Sequence, residues 1–542
     1  MKINTSFFFV LFLWSCATIV APSGGPKDVE PPIVEGSEPQ NYALNFSSNE
    51  VILSFDEYVA VQDLRNNLLI SPPLKELPKS LVKGKSLLLS FQDTLVENTT
   101  YTFNFGNSIK DITEGNILKD FQYVVSTGNY IDSLKILGSV KHAFKRDPIE
   151  GATVMLYACD SYEQCDSLPY LELPRYFGTT NLNGEFAIQH IKSGKYFLFA
   201  LKDANQNYLY DLPNEEIGFS EVLVDSEDTL DLSVSLFKEM DEQRLIKSWS
   251  PYRGKICLAF KTPVGNLKVT NLTGAQKKSW EILEYSDNRD TVWYWNSFAT
   301  DTLNLIVETE AGFQDTAKVV QDQPREKEAE LYFDLNKASL LSGNDSIVLV
   351  SKNPIVKHDF STITLLKKLD SAQFDTVPLS ISFNDPALRN IYLKSKFDYG
   401  SEYSLIIKPQ LFVDVFGNKT DTLKKKFLTK PLEYFGNTKL NIVFPFRKDD
   451  CIVQLINAQA NVIREVVILQ KEKMREGMKV IDFTTLSPGA YRLRLIYDRN
   501  GNGKWDTGQF LENIQPERMD YYPEDIIVRS NWDIDLEWTL EP

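Results

Sequence analysis

Over most of the chain, apolar residues alternate with polar ones in short runs, or stand together in brief continuous runs, and turn residues separate one run from the next. Val51, Leu53 and Phe55 alternate with Ile52 and Ser54, and Tyr101, Phe103 and Phe105 alternate with Thr102 and Asn104. Successive side chains of a strand point to opposite faces, so these runs predict half-buried antiparallel strands. Helical spacing is scarce. Phe, Tyr and Trp make up 12% of the chain, and they suit sheet surfaces and the cores between sheets. The pattern predicts an all-β fold of tandem β-sandwiches, arranged as a multidomain rod. A length of 542 residues is several domains' worth.

Particular segments divide the chain further. The stretch 33–128 closes with Tyr101-Thr102-Phe103-Asn104-Phe105, then Asp111-Ile112-Thr113-Glu114-Gly115-Asn116, then Phe121-Gln122-Tyr123. That succession resembles the end of an SbsA-type bacterial Ig-like domain, in which a Tyr-led strand precedes an Asp…Gly-Asn turn and a last strand. The stretch 326–432 resembles it again through Tyr403-Ser404-Leu405-Ile406-Ile407, Asp414-Val415-Phe416-Gly417-Asn418 and Lys426-Phe427-Leu428-Thr429. Between the two, 134–235 carries Pro148-Ile149-Glu150-Gly151-Ala152-Thr153-Val154, Asn183-Gly184-Glu185-Phe186 and Gly194-Lys195-Tyr196-Phe197. It resembles the carboxypeptidase regulatory-like, prealbumin-like β-sandwich, and 435–542 echoes it with Pro488-Gly489-Ala490-Tyr491-Arg492-Leu493. The stretch 236–325 is a β unit without a family signature, and Trp280, Trp293 and Trp295 are expected to pack its core.

A polar motif occurs twice in one register. Asp203-Ala204-Asn205-Gln206-Asn207-Tyr208-Leu209-Tyr210-Asp211 and Asp498-Arg499-Asn500-Gly501-Asn502-Gly503-Lys504-Trp505-Asp506 both read D-x-N-x-N-x-x-x-D. Each starts nine residues after a turn glycine, Gly194 or Gly489, and seven after a tyrosine, Tyr196 or Tyr491. Such a shared register marks an internal structural repeat. Oxygen donors at positions 1, 3, 5 and 9 suit Ca²⁺, which makes Asp203, Asn205, Asn207 and Asp211, with Asp498, Asn500, Asn502 and Asp506, candidate ligands. The loops resemble the first nine positions of an EF-hand and the D-x-N-x-N loops of exported prealbumin-like domains. Position 12 is Asn214 or Gln509, so the bidentate Glu of an EF-hand is missing; Glu215, Glu216 or Glu512 are substitutes. The competing explanation is that these side chains cap their own backbone as Asx-turns.

The first residues carry Lys2 and then an apolar run from Phe7 to Trp14, too short to span a bilayer as a mature helix. This predicts a signal peptide over 1–15, and Leu13-Trp14-Ser15-Cys16 resembles the lipobox of bacterial lipoproteins. The resemblance implies acylation of Cys16 and anchoring in the outer membrane, on the periplasmic face or at the cell surface; multiple acyl chains anchor stably where one does not. Residues 16–32, with Pro22, Gly24, Gly25, Pro26, Pro31 and Pro32, are an extended tether. Cys159 and Cys165 flank a short polar segment that a disulfide can close in an oxidising compartment, whereas Cys257 and Cys451 sit in apolar runs and are expected buried.

A net charge of −16 argues against a nucleic-acid surface. Only three histidines, His142, His190 and His358, are available for a Ser–His–Asp site, and each lies in a turn, strand end or polar stretch. No G-x-S-x-G, H-E-x-x-H, C-x-x-C or P-loop is present. The expectation is a non-enzymatic envelope scaffold with another envelope protein as partner. Alternatives are a glycan-binding accessory of an outer-membrane importer, with Trp505, Trp532 and Trp538 as candidate aromatics, or an assembly factor of an outer-membrane machine. Cys16→Ala is expected to move the protein from the membrane to the soluble fraction on fractionation of its native host; persistence in the membrane pellet contradicts the anchor.

Overall fold

The computed structural model describes residues 27–541, apart from 120, 229–230, 274–279, 322–330, 332, 337–345, 372, 384, 446–447 and 475. The signal segment, Cys16 and the tether as far as residue 26 lie outside the described residues. The described chain is nearly all strand and turn, in two compact units. One comprises the chain up to Val140, Glu150–Tyr210 and Val222–Ser233; the other comprises Lys141–Ile149, Asp211–Glu221 and everything from Val234 onward.

In the first unit, the leading module stacks the sheet Val34–Glu38, Glu50–Phe55, Ser86–Ser90, Lys79–Lys83 on the sheet Gln122–Ser126, Thr100–Asn104, Leu69–Ser71. Val51, Leu53 and Phe55 from one and Tyr101, Phe103 and Tyr123 from the other fill the core, as the alternation requires. The small sheet Val59–Val61, Ile109–Asp111, Ile117–Leu118 closes one end. A second sandwich follows. Its strands Glu185–Ile191 and Leu134–His142 pair antiparallel. Opposite them, Tyr176–Thr179, Thr153–Ala158 and Lys195–Leu201 form the second sheet, with Val224–Asp225 along the start of Lys195–Leu201. Gly138 is required by packing, because a Cβ there would lie 2.3 Å from the Leu232 carbonyl oxygen and 2.7 Å from the Phe186 ring.

The second unit holds three further sandwiches. Residues 236–325 pair Leu245–Tyr252, Lys255–Phe260, Thr291–Asn296 and Glu281–Tyr285 over Leu267–Asn271, Thr302–Thr309 and Gln314–Val320. Of the three tryptophans expected in the core, Trp295 alone is fully buried, and the cluster between the two sheets is filled without any of them. Val292 and Tyr294 point into the core, while Trp293 and Trp295, one residue out of phase, lie on the opposite face; Trp280 packs its ring against Phe416 instead. The next module repeats the strand order of the first: Phe333–Asn336, Ser346–Ser351, Asn390–Lys394, Ser380–Phe383 oppose Leu423–Leu428, Glu402–Ile407, Thr364–Lys368, and Ile355–His358 pairs with Phe412–Asp414 at the end. One added strand, Phe374–Val377, extends the second sheet. The C-terminal sandwich sets Met478–Leu486, Gly436–Val443 and a parallel Asp533–Thr539 against Val462–Ile468, Asp450–Asn457, Gly489–Asp498 and Met519–Tyr521. Leu536 and Trp538 of its last strand are buried in that core.

Both Ig-like modules are locked by the same side chains. The Tyr101 hydroxyl accepts the Val96 N–H at 2.9 Å, and the Tyr403 hydroxyl accepts the Asp398 N–H at 2.7 Å. Thr127 Oγ1 donates to the Val96 carbonyl and Thr429 Oγ1 to the Asp398 carbonyl, both at 2.7 Å. In the turn that follows, Asp111 Oδ1 accepts the N–H groups of Glu114 and Gly115, and Oδ2 that of Asn116. Asp414 Oδ1 likewise accepts those of Phe416 and Asn418. The second and the C-terminal sandwiches share a lock of their own: the Tyr196 hydroxyl donates to the Lys192 carbonyl and the Tyr491 hydroxyl to the Ser487 carbonyl, each at 2.7 Å.

Burial pushes the Asp111 carboxyl up, but the N–H groups of Gly115, Glu114, Asn116 and Thr113 outweigh burial and hold it below its ordinary value. Stability from a depressed carboxyl is present above its unfolded-state pKa and lost as pH falls through the folded-state value. Asp111→Asn should therefore be less stable than wild type at neutral pH, and the two should converge in melting temperature as pH falls below the usual carboxylate range. Tyr101→Phe and Tyr403→Phe each leave a backbone N–H without its acceptor, and each should cost about 1–3 kcal/mol in chemical unfolding.

Candidate functional site

The repeated D-x-N-x-N loops follow the long strands Lys195–Leu201 and Gly489–Asp498. A connection of that length exposes several N–H groups that no strand satisfies, and the leading aspartate collects them. Asp203 Oδ1 accepts Gln206 N–H at 2.6 Å and Asn207 N–H at 3.3 Å, while Oδ2 accepts Tyr208 N–H at 2.8 Å. Asp498 Oδ1 accepts Asn502 N–H at 3.1 Å and Oδ2 accepts Gly503 N–H at 2.8 Å. The middle asparagines cap in turn: Asn207 Oδ1 accepts Leu209 N–H, and Asn502 Oδ1 accepts Lys504 N–H. These are the Asx-turn contacts that the sequence offered as the alternative to a cation.

In the second loop the candidate ligands also converge. The side-chain amides of Asn500 and Asn502 both donate to Asp506 Oδ2, Asn500 at 2.7 Å. Positions 3, 5 and 9 thus meet at one carboxylate oxygen. Turning each amide over would present two neutral oxygens and a carboxylate to the same point, which is a donor set for a hard cation. Among the described residues, no group of three or more His, Cys, Asp or Glu side chains is gathered to hold a metal.

A further acidic residue serves each loop, and the sequence pattern misses its equivalence. Glu215, 1% exposed, accepts the N–H groups of Asp211 and Leu212 at 3.2 and 3.0 Å. Glu517, 5% exposed, accepts those of Arg499 and Asp506 at 2.7 and 3.1 Å. In both copies a buried glutamate holds the N–H of the ninth loop residue, yet it comes four residues later in one copy and eleven later in the other. A short bridged turn, Gln509 against Ile514, takes up the difference. Burial raises the Glu517 carboxyl above its ordinary value, repulsion from Asp506 and Asp498 adds to it, and the two N–H groups oppose both.

The insertion that displaces Glu517 also makes contacts. Phe510 packs its ring on Phe219 at 5.1 Å, and its N–H donates to Glu239 Oε1 at 2.7 Å. Thr507 Oγ1 donates to the Lys238 carbonyl at 2.6 Å and Gln515 Nε2 to the Phe219 carbonyl at 2.8 Å. Gly508 is held against the Phe237 ring, where a Cβ would sit 2.5 Å from Cζ. Nearby, Trp505 meets Phe144 edge to face at 5.0 Å, and Tyr521 donates to the Phe144 carbonyl. Within the second unit the C-terminal sandwich therefore touches segments several hundred residues earlier.

A second junction in that unit joins the third and fourth modules. Arg389 Nη1 donates to Glu284 Oε1 at 2.6 Å, the two side chains being 15% and 7% exposed. Trp295 Nε1 donates to the other oxygen of Glu284 at 2.9 Å. Lys255 lies 4.5 Å and Arg389 5.6 Å from the Trp295 ring centre, and both also face Trp293. These cation–π contacts are what the outward-facing tryptophans do. Alongside, the Tyr252 hydroxyl donates to Asn353 Oδ1, whose amide donates to Asp414 Oδ2. The aspartate that closes the Ig-like turn thereby also ties it to the preceding module.

The remaining candidates have structural partners. Cys159 and Cys165 form a disulfide with their Cα atoms 6.3 Å apart, and Cys257 and Cys451 are buried. His142 Nδ1 accepts the N–H groups of Phe144 and Lys145, His190 Nδ1 bonds the Asp132 carbonyl, and His358 stacks on Phe360 at 4.4 Å. Of the candidate glycan-binding aromatics, Trp538 is core, Trp505 is half-buried on Phe144 and Trp532 is exposed.

Residues 28–127 match the family model of a bacterial Ig-like domain. No curated protein matches the chain. Among solved structures it is similar to BcpA, the major pilin subunit of Bacillus cereus, at 11% identity over 75% of this chain and 99% of that one, with a TM-score of 0.13. It is also similar to the S-layer protein rSbsC(31-844), at 10% identity over 91% of this chain and 66% of that one, TM-score 0.14. Dimeric latent PorU from Porphyromonas gingivalis aligns at 11% identity over 70% of this chain and 46% of that one, TM-score 0.18.

Removing one partner of a buried ion pair leaves the other charge uncompensated, which costs about 3–5 kcal/mol. Arg389→Met should destabilise the second unit by that order in chemical unfolding, and the double variant Arg389→Met with Glu284→Gln should recover part of the loss. Equal stability of Arg389→Met and wild type would show that the pair does not hold the junction.

Proposed function

We propose that the protein is a non-enzymatic scaffold of the bacterial cell envelope, held by lipid on Cys16, whose sandwiches present a fixed surface to another envelope protein. The observation that carries it is the construction of the junctions: the Arg389–Glu284 pair with its tryptophans and the Tyr252–Asn353–Asp414 chain fix module to module. Side chains committed in this way hold geometry. The bacterial Ig-like match over 28–127 supports an envelope or extracellular setting. Among the described residues, no helix is long and apolar enough to cross a membrane, so in this reading attachment rests on the anchor.

Calcium belongs to the same proposal. Asp498 and Asp506 would supply charge and Asn500 and Asn502 neutral oxygens, stiffening the loop from which the Thr507–Gln515 contacts project; the first loop would do the same through Asp203, Asn205, Asn207 and Asp211. The support is the convergence of Asn500 and Asn502 on Asp506.

Purification of the full-length protein from its native envelope in mild detergent should bring down a stoichiometric envelope partner, and isolation alone counts against the scaffold reading. Separately, millimolar CaCl₂ should raise the melting temperature of the soluble Cys16→Ala protein, and Asp203→Ala with Asp498→Ala should remove the rise. Identical melting in calcium and in chelator leaves the Asx-turns as the whole account of the loops.

A further inference from the structure

We propose that the Cys159–Cys165 disulfide is a redox-sensitive brace: while the bond is closed, residues 159–172 hold the far half of the first D-x-N-x-N loop, and reduction by a small thiol releases that half and leaves the C-terminal copy of the loop unaffected. The two repeats differ at one connection. Thr153–Ala158 pairs with Tyr176–Thr179 on one side and Lys195–Leu201 on the other, and Asp450–Asn457 pairs with Val462–Ile468 and Gly489–Asp498 in the same way. In the C-terminal copy the link from the first of these strands to the second is a tight turn, residues 458–461, with Asn457 Oδ1 accepting the N–H groups of Gln459 and Asn461. In the first copy the same link is the excursion 159–175, and the disulfide closes its start.

The excursion carries little regular structure, the single turns Tyr162–Gln164 and Leu168–Leu171, and one helical turn is unstable in isolation. The disulfide restricts the open chain, and beside it the Leu168 N–H donates to the Cys165 carbonyl at 3.1 Å. From there the segment reaches the loop. The Tyr210 N–H donates to the Pro169 carbonyl at 2.8 Å, the Tyr170 and Tyr210 rings lie 5.1 Å apart, and Pro169 is buried. Asp203 serves the near half of the loop through the N–H groups of Gln206, Asn207 and Tyr208, and Pro169 serves the eighth position. The eighth residue of the other loop, Trp505, is held by different means: its Nε1 donates to the Glu517 carbonyl at 2.8 Å, and its ring meets Phe144. Cys165 is fully buried and Cys159 partly exposed, so an incoming thiolate attacks Cys159 Sγ. The bond between the two sulfurs breaks, a mixed disulfide forms on Cys159, and Cys165 leaves as a thiolate that takes up a proton. A second small thiol then frees Cys159, so two small thiols are oxidised to one disulfide and the protein gains two thiols.

The brace needs neither the lipid anchor nor calcium, so it is tested on the soluble Cys16→Ala protein in the presence of chelator, apart from the scaffold and calcium readings. Hydrogen exchange is followed by mass spectrometry on overlapping peptides, before and after millimolar reduced glutathione, with alkylation of Cys159 and Cys165 reporting the opened bond. Glutathione is expected to open the bond in the folded protein and to speed exchange of the Leu209 and Tyr210 amides tenfold or more, while those of Gly503 and Lys504 keep their rates. The double variant Cys159→Ser with Cys165→Ser should show the fast rates without glutathione, and reduction of the parent protein gives the same reading if that variant fails to fold. Three results overturn the proposal: a bond that glutathione leaves closed, unchanged exchange at Leu209 and Tyr210 once the bond is open, or equal acceleration in both loops.

Discussion

A β-sandwich has to satisfy the backbone N–H groups of its connections as well as those of its strands, and in this protein that constraint falls on aspartate. Asp111, Asp414, Asp203 and Asp498 each sit where a strand gives way to a turn, and each collects two or three amides of the residues that follow. The carboxylate is the suitable group, because it accepts on two oxygens and its charge strengthens every bond. With the turns fixed in this way, the strands that follow enter the sheets in register, and the tyrosine and threonine locks close over them.

The same turns then carry larger consequences. Asp414 uses its second oxygen on Asn353, which reaches Tyr252 of the preceding module. The Asp498 loop runs directly into Thr507–Gln515, whose contacts reach Phe219, Phe237 and Glu239. Local capping and joining of modules are thus the work of one set of residues. The Arg389–Glu284 pair adds what capping cannot: a charge contact that tolerates no partner but its own.

Much of this was legible along the chain, and the exceptions have physical reasons. Alternation located the strands, and the Asp…Gly-Asn turns and the D-x-N-x-N register located the repeats, because both arise from local backbone needs. The tryptophans were misassigned because Val292-Trp293-Tyr294-Trp295 is apolar at every position, so period two does not say which pair faces inward; Val292 and Tyr294 do. The role of Glu517 escaped because an insertion moved it seven places relative to Glu215. Arg389 and Glu284, 105 residues apart, carry no local signal at all.

The turn closed by Gln509 and Ile514 separates two things that usually change together. The buried glutamate keeps its duty to the ninth loop residue whether or not the turn is present, as the first copy shows with none. The added length brings in Gly508, Phe510 and Gln515, which meet Phe219, Phe237 and Glu239. A sandwich of this kind can therefore acquire or shed a latch without renegotiating its core, and which modules touch becomes a property of one short excursion of the chain.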